Sequence, residues 1–195
     1  METAAGWAVT RMDPTSELAD FDAVVAEYWP RIYRFALASL RDRTAAETIA
    51  QDCFLRAWKA HDKFRGDSSL NTWLMQIAVN LIRDHLRNAR LQFWKRSSQT
   101  VDAAAELLAD RRTSPEMSAS ARQQLAAVWS ATAHLPEQQR TVFLLRFVED
   151  MDLLEIAAAM GLSEGTVKAH LFRAVRTVRE RANVNAGVSK ELRSE

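Results

Sequence analysis

The chain has 195 residues and a net charge of +1, and only nine of its residues are Gly or Pro. This composition favours helices, and no alternation of apolar and polar residues is long enough to predict a sheet. The single cysteine, Cys53, excludes an internal disulfide, which is typical of a reducing cytoplasm. Since we find neither a signal peptide nor an apolar segment of membrane-spanning length, we expect an all-α cytoplasmic protein without membrane insertion.

The small net charge conceals a strong segregation of charge along the chain. Residues 81–96 contain five Lys or Arg against one acid, and residues 165–181 again contain five against one. Residues 1–20 instead contain four acids and one Arg. Two basic clusters in different halves of the chain predict two contacts with a polyanion.

Changes in composition divide the chain into two helical domains. Between them the sequence is rich in Ser, Thr, Ala and scattered charge and has weak periodicity, which is typical of a linker. We therefore predict two small all-α domains joined by a flexible tether. The predicted segments are a flexible tail at 1–15, a helical domain at 16–95, a linker at 96–114, a second helical domain at 115–183 and a flexible tail at 184–195.

Helices in the first domain are predicted from apolar periodicity and from their terminal residues. Pro30 is expected to interrupt the first helix and to serve as the first residue of the second. Thr44 and Glu47 match a capping box that opens the third helix. A loop at 61–68 then precedes a long amphipathic helix. The four helices are predicted at 17–29, 30–40, 44–60 and 69–93.

In the second domain, two prolines are predicted to lie in the first turns of helices. Pro115 opens a helix to about residue 134, and Pro136 opens one to about residue 148. Residues 152–179 then read as a short helix, a tight turn and a second helix. This is the helix-turn-helix arrangement that places its second helix in the major groove of duplex DNA.

The predicted helix-turn-helix has a turn residue, a cap and two distinct faces. Gly161 is expected at positive φ in the turn, and Ser163 is expected to cap the second helix. One face of that helix is apolar at helical spacing and consists of Val167, Leu171, Ala174 and Val178. The opposite face is basic and contains Lys168, Phe172, Arg173, Arg176 and Arg179. A buried helix pair with a solvated basic face is the alternative, and it explains an exposed Phe172 least well.

The connection at 64–74 combines aromatic side chains, small polar groups and a glycine beside a basic helix. Aromatic faces stack on unpaired bases, and Asn or Ser side chains can read the edge of a base taken out of its stack. For Phe64 and Trp73 considered alone, packing against neighbouring helices is the favoured interpretation. Three arginines farther along the helix could hold phosphates: Arg83, Arg87 and Arg90.

No pattern in the chain indicates catalysis. We find no phosphate-binding loop, no zinc-protease motif, no nucleophile elbow and no cysteine-rich metal spacing. The four histidines are scattered and pair with no local carboxylate in a recognisable pattern. We expect no enzyme activity, no cofactor and no metal site.

Several segments resemble the extracytoplasmic-function (ECF) sigma factors of bacterial RNA polymerase. Residues 51–80 are similar to region 2 of this family: Q-D-C-F-L-R-A-W-K-A-H-D-K followed by F-R-G-D-S-S-L-N-T-W-L-M-Q-I-A-V-N. Two later segments are similar to region 4: L-P-E-Q-Q-R-T-V-F-L-L-R-F and E-G-T-V-K-A-H-L-F-R-A. The resemblance covers roughly 21–94 and 119–182 and keeps the family's order.

This resemblance implies a transcription initiation factor that binds core RNA polymerase and promoter DNA. The second domain would read the duplex upstream (minus-35) element through Glu164, Gly165, Thr166, Lys168, Ala169, His170, Phe172, Arg173 and Arg176. The first domain would capture a melted single strand of the downstream (minus-10) element through Lys63, Phe64, Arg65, Ser68, Asn71, Trp73, Asn80, Arg83 and Arg87. The polymerase would bind at Gln51, Asp52, Leu55 and Arg56. The family also implies an anti-sigma factor that masks these surfaces.

The chain departs from the family at two places. Residues 47–50, Glu-Thr-Ile-Ala, stand where relatives usually have an acid and a branched aliphatic pair, so the resemblance does not define the details of the polymerase contact. His170 stands where many relatives have Arg, which weakens phosphate attraction near neutral pH. The alternative function is a duplex-binding helix-turn-helix regulator that acts without being a polymerase subunit. Such regulators usually carry a receiver domain of alternating strands and helices, which 17–93 does not resemble.

Overall fold

The computed structural model describes residues 20–64, 66–93 and 119–191. These residues form α-helices and one short 3-10 turn, with no strand among them, which confirms the predicted all-α class. The tail at 1–15 and the linker at 96–114 lie outside the described residues. The helices are α1 (Phe21–Leu40), α2 (Arg43–Ala60), α3 (Leu70–Phe93), α4 (Ala119–Thr132), α5 (Glu137–Phe147), α6 (Leu153–Met160) and α7 (Glu164–Glu191), and the 3-10 turn spans His61–Lys63.

Helix α1 is continuous through Pro30, so the predicted interruption was wrong. A proline inside a helix removes one hydrogen bond and usually kinks the helix. Pro30 is exposed, however, whereas Val24 and Ile32 on either side of it are buried. Burial of the apolar face on both sides outweighs the lost bond, since tertiary packing supplies most of the stability of a helix in a protein.

Two helix starts differ from the sequence predictions by one or two residues. Asp42, not Thr44, caps α2, because its carboxylate accepts from the amide of Ala45 at 2.9 Å. Pro136 is the residue before α5 rather than its first residue. The predicted start of α4 near 115 lies outside the described residues. The predicted ends of α2 and α3 are confirmed.

The last helix is longer than predicted. Helix α7 extends to Glu191, whereas the sequence analysis places the end of the second domain at 183. The added turns contain Asn183, Asn185 and Gly187, but each of these residues costs a helix only about 1 kcal/mol or less relative to Ala. Such residues weaken a helix without ending it.

We call α1–α3 the N-terminal module and α4–α7 the C-terminal module. Each has a buried apolar interior: Phe35, Ala46 and Leu74 lie in the first, and Leu144, Ile156 and Val167 lie in the second. All six belong to one continuous cluster of buried residues that crosses from one module to the other. The two modules therefore pack against each other, which the prediction of two tethered domains did not anticipate.

Candidate nucleic-acid interface

The turn between α6 and α7 is built from its own caps and one glycine. Asp152 accepts from the amides of Leu154 and Glu155 at 2.8 Å, and the Glu155 carboxylate accepts from the Asp152 amide at 2.9 Å. This reciprocal capping box fixes the start of α6. Gly161 ends the helix at φ 65°, which confirms the predicted positive φ. The short helix is thus held at both ends.

Helix α7 has the two faces that its periodicity predicts. The Ser163 hydroxyl accepts from the amide of Thr166 at 3.2 Å, which confirms the predicted cap. Val167, Ala174 and Val178 are buried, and Leu171 is half-buried against the core. The helix is therefore fixed by its apolar stripe, and its other face is directed outward.

The outward face of α7 is basic and includes an exposed aromatic ring. Phe172 is 69% exposed, and four cationic side chains are exposed beside it: Lys168, Arg173, Arg176 and Arg179. Two of the cations are paired within the helix, Lys168 with Glu164 at 2.6 Å and Arg176 with Glu180 at 3.6 Å. Exposed pairs of this kind contribute only about 0–1 kcal/mol, so another anion can displace the acids at little cost.

The remaining predicted residues of α7 are not equally accessible. Gly165 and Thr166 are exposed at the start of the helix, whereas Ala169 is half-buried. His170 is also half-buried, and its Nδ1 is enclosed without a hydrogen-bond partner among the described residues. His170 thus faces the protein more than Lys168 does, which makes it a poorer candidate for a DNA contact.

In the N-terminal module, the aromatic side chains of the 64–74 segment lie together. The rings of Phe64 and Trp73 have centroids 5.0 Å apart and are tilted by 39°. Both rings are half-buried against the core, so part of each serves packing. Asn71 is half-buried with an enclosed Oδ1 that has no partner within the described part of the chain, and Ser68 is half-buried. Arg65 and the Lys63 side chain lie outside the described residues.

The predicted polar residues farther along α3 lie on its exposed side. Asn80 and Arg83 are in contact, with Arg83 Nη1 donating to Asn80 Oδ1 at 3.4 Å. Arg87 is exposed and donates to Asp84 at 3.0 Å. These residues follow the aromatic pair along α3. The N-terminal module therefore contains both the pair of rings and a row of exposed polar and cationic side chains.

Helix α2 exposes the residues that were predicted to bind polymerase. Gln51 and Arg56 are exposed, Asp52 is half-buried and Leu55 is 50% exposed. Trp58 is 51% exposed and was missed, although it follows Leu55 at a spacing of three, which places both on one side of a helix. Its indole stacks on the His61 ring at 5.1 Å and an interplanar angle of 17°.

Cys53 lies on the opposite, buried side of α2. Its thiol donates to the carbonyl of Leu74 at 3.5 Å, and burial raises its pKa to about 12. Thiolate chemistry is suppressed at such a pKa, and Cys53 is part of the core. Two further large apolar side chains that the sequence analysis missed are exposed in the C-terminal module, Phe147 and Leu154.

Within the described ranges, no group of three or more His, Cys, Asp or Glu side chains is arranged to hold a metal ion. No helix in the same ranges is both long and apolar enough to cross a membrane.

Two protein-family models match the two modules. The model described as Sigma-70 region 2 matches residues 24–92, and the model described as Sigma-70, region 4 matches residues 125–178. The first match contains most of α1 and all of α2 and the 64–74 segment. The second contains α5, α6 and the described basic face of α7 as far as Val178.

Similar proteins are found among RNA polymerase sigma factors. The RNA polymerase sigma-H factor of Pseudomonas aeruginosa is 34% identical over 79% of this chain and 81% of its own length. The ECF RNA polymerase sigma factor SigL of Mycobacterium tuberculosis is 31% identical over 84% of this chain and 89% of its own length. The probable RNA polymerase sigma factor RfaY of Xanthomonas campestris is 37% identical over 74% of this chain, but the chain spans only 36% of that protein.

Two solved structures share the fold. The sigma factor RpoE of Bartonella quintana, in complex with the anti-sigma factor NepR, has a TM-score of 0.68 at 22% identity, covering 85% of this chain and 98% of that one. CnrH in complex with the cytosolic domain of CnrY has a TM-score of 0.62 at 25% identity, covering 88% of this chain and 96% of that one. Together with the family models and the relatives, these similarities show that the chain belongs to the ECF family of RNA polymerase sigma factors, which are transcription initiation factors that direct the polymerase to promoters.

Proposed function

We propose that the two modules read the two elements of a promoter in different states of the DNA. Helix α7 reads the duplex minus-35 element, and the 64–74 segment with α3 captures the melted minus-10 strand. The observation that carries this proposal is the face of α7: exposed cations and Phe172 lie opposite an apolar stripe that packs into the core. A face that contacted only solvent would not account for an aromatic ring that is 69% exposed.

On α7, the position of each side chain along the helix suggests its role. A recognition helix contacts base edges with its N-terminal residues. Lys168, one turn into α7, is therefore assigned to a base, and Phe172 to apolar contact such as a thymine methyl group. Arg173 and Arg176 lie farther along and are assigned to phosphates, which position the helix without reading sequence.

In the N-terminal module, the contact between Phe64 and Trp73 supports a role in stacking. A ring that is already held by a neighbour loses little freedom when a base stacks on it. The half-buried Asn71 and the exposed Asn80 are the residues assigned to base edges, and Arg83 and Arg87 are assigned to phosphates. Lys63, Arg65 and Ser68 remain part of the proposed site.

The energy of strand opening explains why this module requires the polymerase. Opening about ten base pairs costs on the order of 14 kcal/mol, at roughly 1.4 kcal/mol for each stacking step. Each stacked base returns about 1–3 kcal/mol. One or two base sites cannot supply the difference. The chain therefore traps bases that become exposed within the polymerase–promoter complex.

Exposed apolar side chains support protein partners on both modules. On α2, Leu55 and Trp58 lie beside Gln51 and Arg56, and we assign this surface to core RNA polymerase. Aromatic and arginine side chains of this kind are enriched where partners bind. We propose that an anti-sigma factor covers exposed apolar surface in the uninduced cell, by analogy with the RpoE–NepR and CnrH–CnrY complexes. Because its partners act on the chromosome, we place the protein in the cytoplasm.

Transcription in vitro tests this function. Fragmented genomic DNA is transcribed by sigma-free core polymerase with and without the chain, and the 5′ ends of the RNA are mapped. New start sites that share a two-block upstream motif support the proposal. An absence of new starts, together with no binding to polymerase and tight binding to duplex DNA, would instead establish a duplex-binding regulator.

A further inference from the structure

Glu149, in the turn after α5, lies between two arginines of the other module. Its side chain is 0% exposed. Arg34 donates from Nε to Glu149 Oε1 at 3.0 Å and from Nη2 to Oε2 at 2.8 Å, a bidentate arrangement. Arg31 donates from Nη2 to the Glu149 carbonyl at 2.8 Å, and its Nε lies 3.4 Å from Oε2. A carboxylate buried this deeply is stable only while it is paired, and both partners belong to α1.

Two more arginines connect the modules at the end of α4. Arg41 of the N-terminal module donates to the Trp129 carbonyl at 2.7 Å and to Thr132 Oγ1 at 3.1 Å. From the other side, Arg140 Nη1 donates to the Ser39 carbonyl at 3.4 Å. Both cations lie near the negative end of the α4 dipole, which favours them. They also oppose each other, since burial first and Arg41 second hold the pKa of Arg140 below its ordinary value.

The apolar part of the interface consists of buried side chains from both modules. Phe35, Val79 and Ile82 of the N-terminal module and Met160 of the C-terminal module line a cavity of only about 10 Å³, barely enough for one water molecule. Arg83 and Glu137 line the same cavity from opposite modules. The packing of the two modules therefore places Arg83 at the boundary between them. Arg83 is one of the residues assigned to the melted strand.

The packed arrangement cannot serve both promoter elements at once. Elements centred about 25 base pairs apart are separated by about 85 Å along B-form DNA, at roughly 3.4 Å for each base pair. A compact chain of this length has a radius of gyration of about 16 Å, so it is about 40 Å across. The modules must separate before α7 and the 64–74 segment reach their elements together.

We propose that Glu149, shared between Arg31 and Arg34, is a latch that holds the free chain closed, and that binding to polymerase requires its release. This inference rests on the proposed function, because only a promoter-spanning factor needs to open. The latch is suited to release. Removal of either partner in the closed chain leaves buried charge uncompensated, so closure depends on the pair, whereas separation of the modules returns Glu149 and both arginines to water.

The distance between the modules in the free chain tests the latch. Donor and acceptor dyes are attached through Ala26→Cys on α1 and Ala158→Cys on α6, two exposed positions. Buried Cys53 stays unlabelled. The parent is expected to show high energy transfer that falls when core polymerase is added. Glu149→Gln keeps the shape of the side chain and removes its charge. It should raise the ratio of open to closed molecules by about tenfold, since hydrogen bonds to charged groups are the stronger kind.

Asp150→Asn is the matched control. This variant also removes one negative charge, but Asp150 is exposed and pairs with Arg146 at 3.8 Å, within the C-terminal module. Asn also tolerates the positive φ of 56° at this position. The energy transfer of the Asp150→Asn variant is expected to equal that of the parent. An equal opening by Asp150→Asn and Glu149→Gln would show a general charge effect and overturn the latch.

Arg34→Gln removes the same contact from the other module. It keeps the test possible if the Glu149 variant misfolds. The double variant should be scarcely more open than the more open single variant, because both substitutions remove one interaction. If both single variants keep parental helicity by circular dichroism and parental energy transfer, the latch does not exist. This readout needs neither polymerase nor promoter, so its failure is distinct from failure of the proposed function.

Transcription then tests whether release is required. With core polymerase and a promoter found as above, Glu149→Gln should reach half-maximal transcript at a several-fold lower concentration than the parent, with unchanged start sites. A variant that is open by energy transfer but has the parental concentration dependence would overturn the claim that opening limits binding.

Discussion

The recognition helix α7 and the 64–74 segment are both assigned to DNA, but they differ in how far their proposed contact residues also take part in the core. On α7, burial and exposure alternate with the helix period, so Val167 is enclosed while Lys168 and Phe172 face solvent. In the 64–74 segment, Phe64 and Trp73 are half-buried and contact each other. A helix surface can present side chains without involving them in the core, whereas the segment uses the same rings for packing and for its proposed site.

This difference has a consequence for mutation. Substitutions on the exposed face of α7 should change DNA binding and leave stability nearly unaffected, because surface changes away from caps and cores usually stay within about 0.5 kcal/mol. Substitutions at the aromatic pair should change both.

Phe64→Ala should impair strand opening more than any single change on α7. The variant loses a stacking surface worth about 1–3 kcal/mol for each base, so the yield of open complex should fall about tenfold to a hundredfold. Upstream binding should be intact. A fluorescent base analogue in the minus-10 element measures opening, and Phe172→Ala is the control that should leave opening after binding unchanged. Equal opening by Phe64→Ala and the parent would remove Phe64 from the site.

Lys168→Ala should alter sequence preference rather than overall affinity. A good base contact discriminates by about 1–3 kcal/mol, so the preferred base at one upstream position should lose most of its advantage. Selection from a library with a randomised minus-35 element measures this. Loss of affinity that is uniform across the library would reassign Lys168 to a phosphate.

Arg173→Ala and Arg176→Ala should weaken promoter binding across sequences and reduce its dependence on salt. Each lost phosphate contact is expected to reduce the slope of log affinity against log salt by about 0.9. Titration of the polymerase complex on one promoter at several salt concentrations gives the slope. Arg122→Ala, at an exposed position on α4 outside the assigned surfaces, is the control. A parental slope in both variants would mean that this face of α7 does not contact phosphates.

Gly161→Ala tests the turn that positions the recognition helix rather than the surface of that helix. A Cβ at Gly161 would meet no atom within 4 Å, so the cost arises only from the φ of 65°. We expect a loss of about 1 kcal/mol, and a Tm lower by about 2–4 °C for a chain of this size. Gly165→Ala is the matched control, since Gly165 is helical and its Cβ would lie 4.0 Å from Ser163 Oγ. That variant should be as stable as the parent or more so.

The parts of the fold that were predictable are those that local sequence determines. Gly161, the Ser163 cap and the apolar stripe of α7 follow from spacing and turn chemistry, and the structure confirms all three. Continuity of α1 through Pro30 was not predictable, because it depends on packing that outweighs a lost hydrogen bond. The predicted cap of α2 was wrong because Thr44 and Glu47 match the capping-box pattern, whereas the structure uses the Asp42 carboxylate.

The contacts between modules were beyond prediction from one sequence. Arg34 and Glu149 are separated by 115 residues, and nothing in the pattern around either of them specifies the other. Glu149 lies beside Asp150 in a short acidic turn, and only the structure shows that one of the two is buried and the other exposed. The proposed DNA and polymerase contacts of individual residues remain predictions for the same reason, since their partners are other molecules.

Site-specific photo-cross-linking tests the division of labour between the modules most directly. A photo-reactive amino acid replaces Phe172 in one variant and Asn80 in another, and each is assembled with core polymerase on a promoter whose start site is mapped. We expect this division to appear as cross-linking of position 172 to duplex DNA at the minus-35 element and of position 80 to one strand of the minus-10 element. Cross-linking of both positions to the same element, or of position 80 equally to duplex and melted DNA, would contradict it.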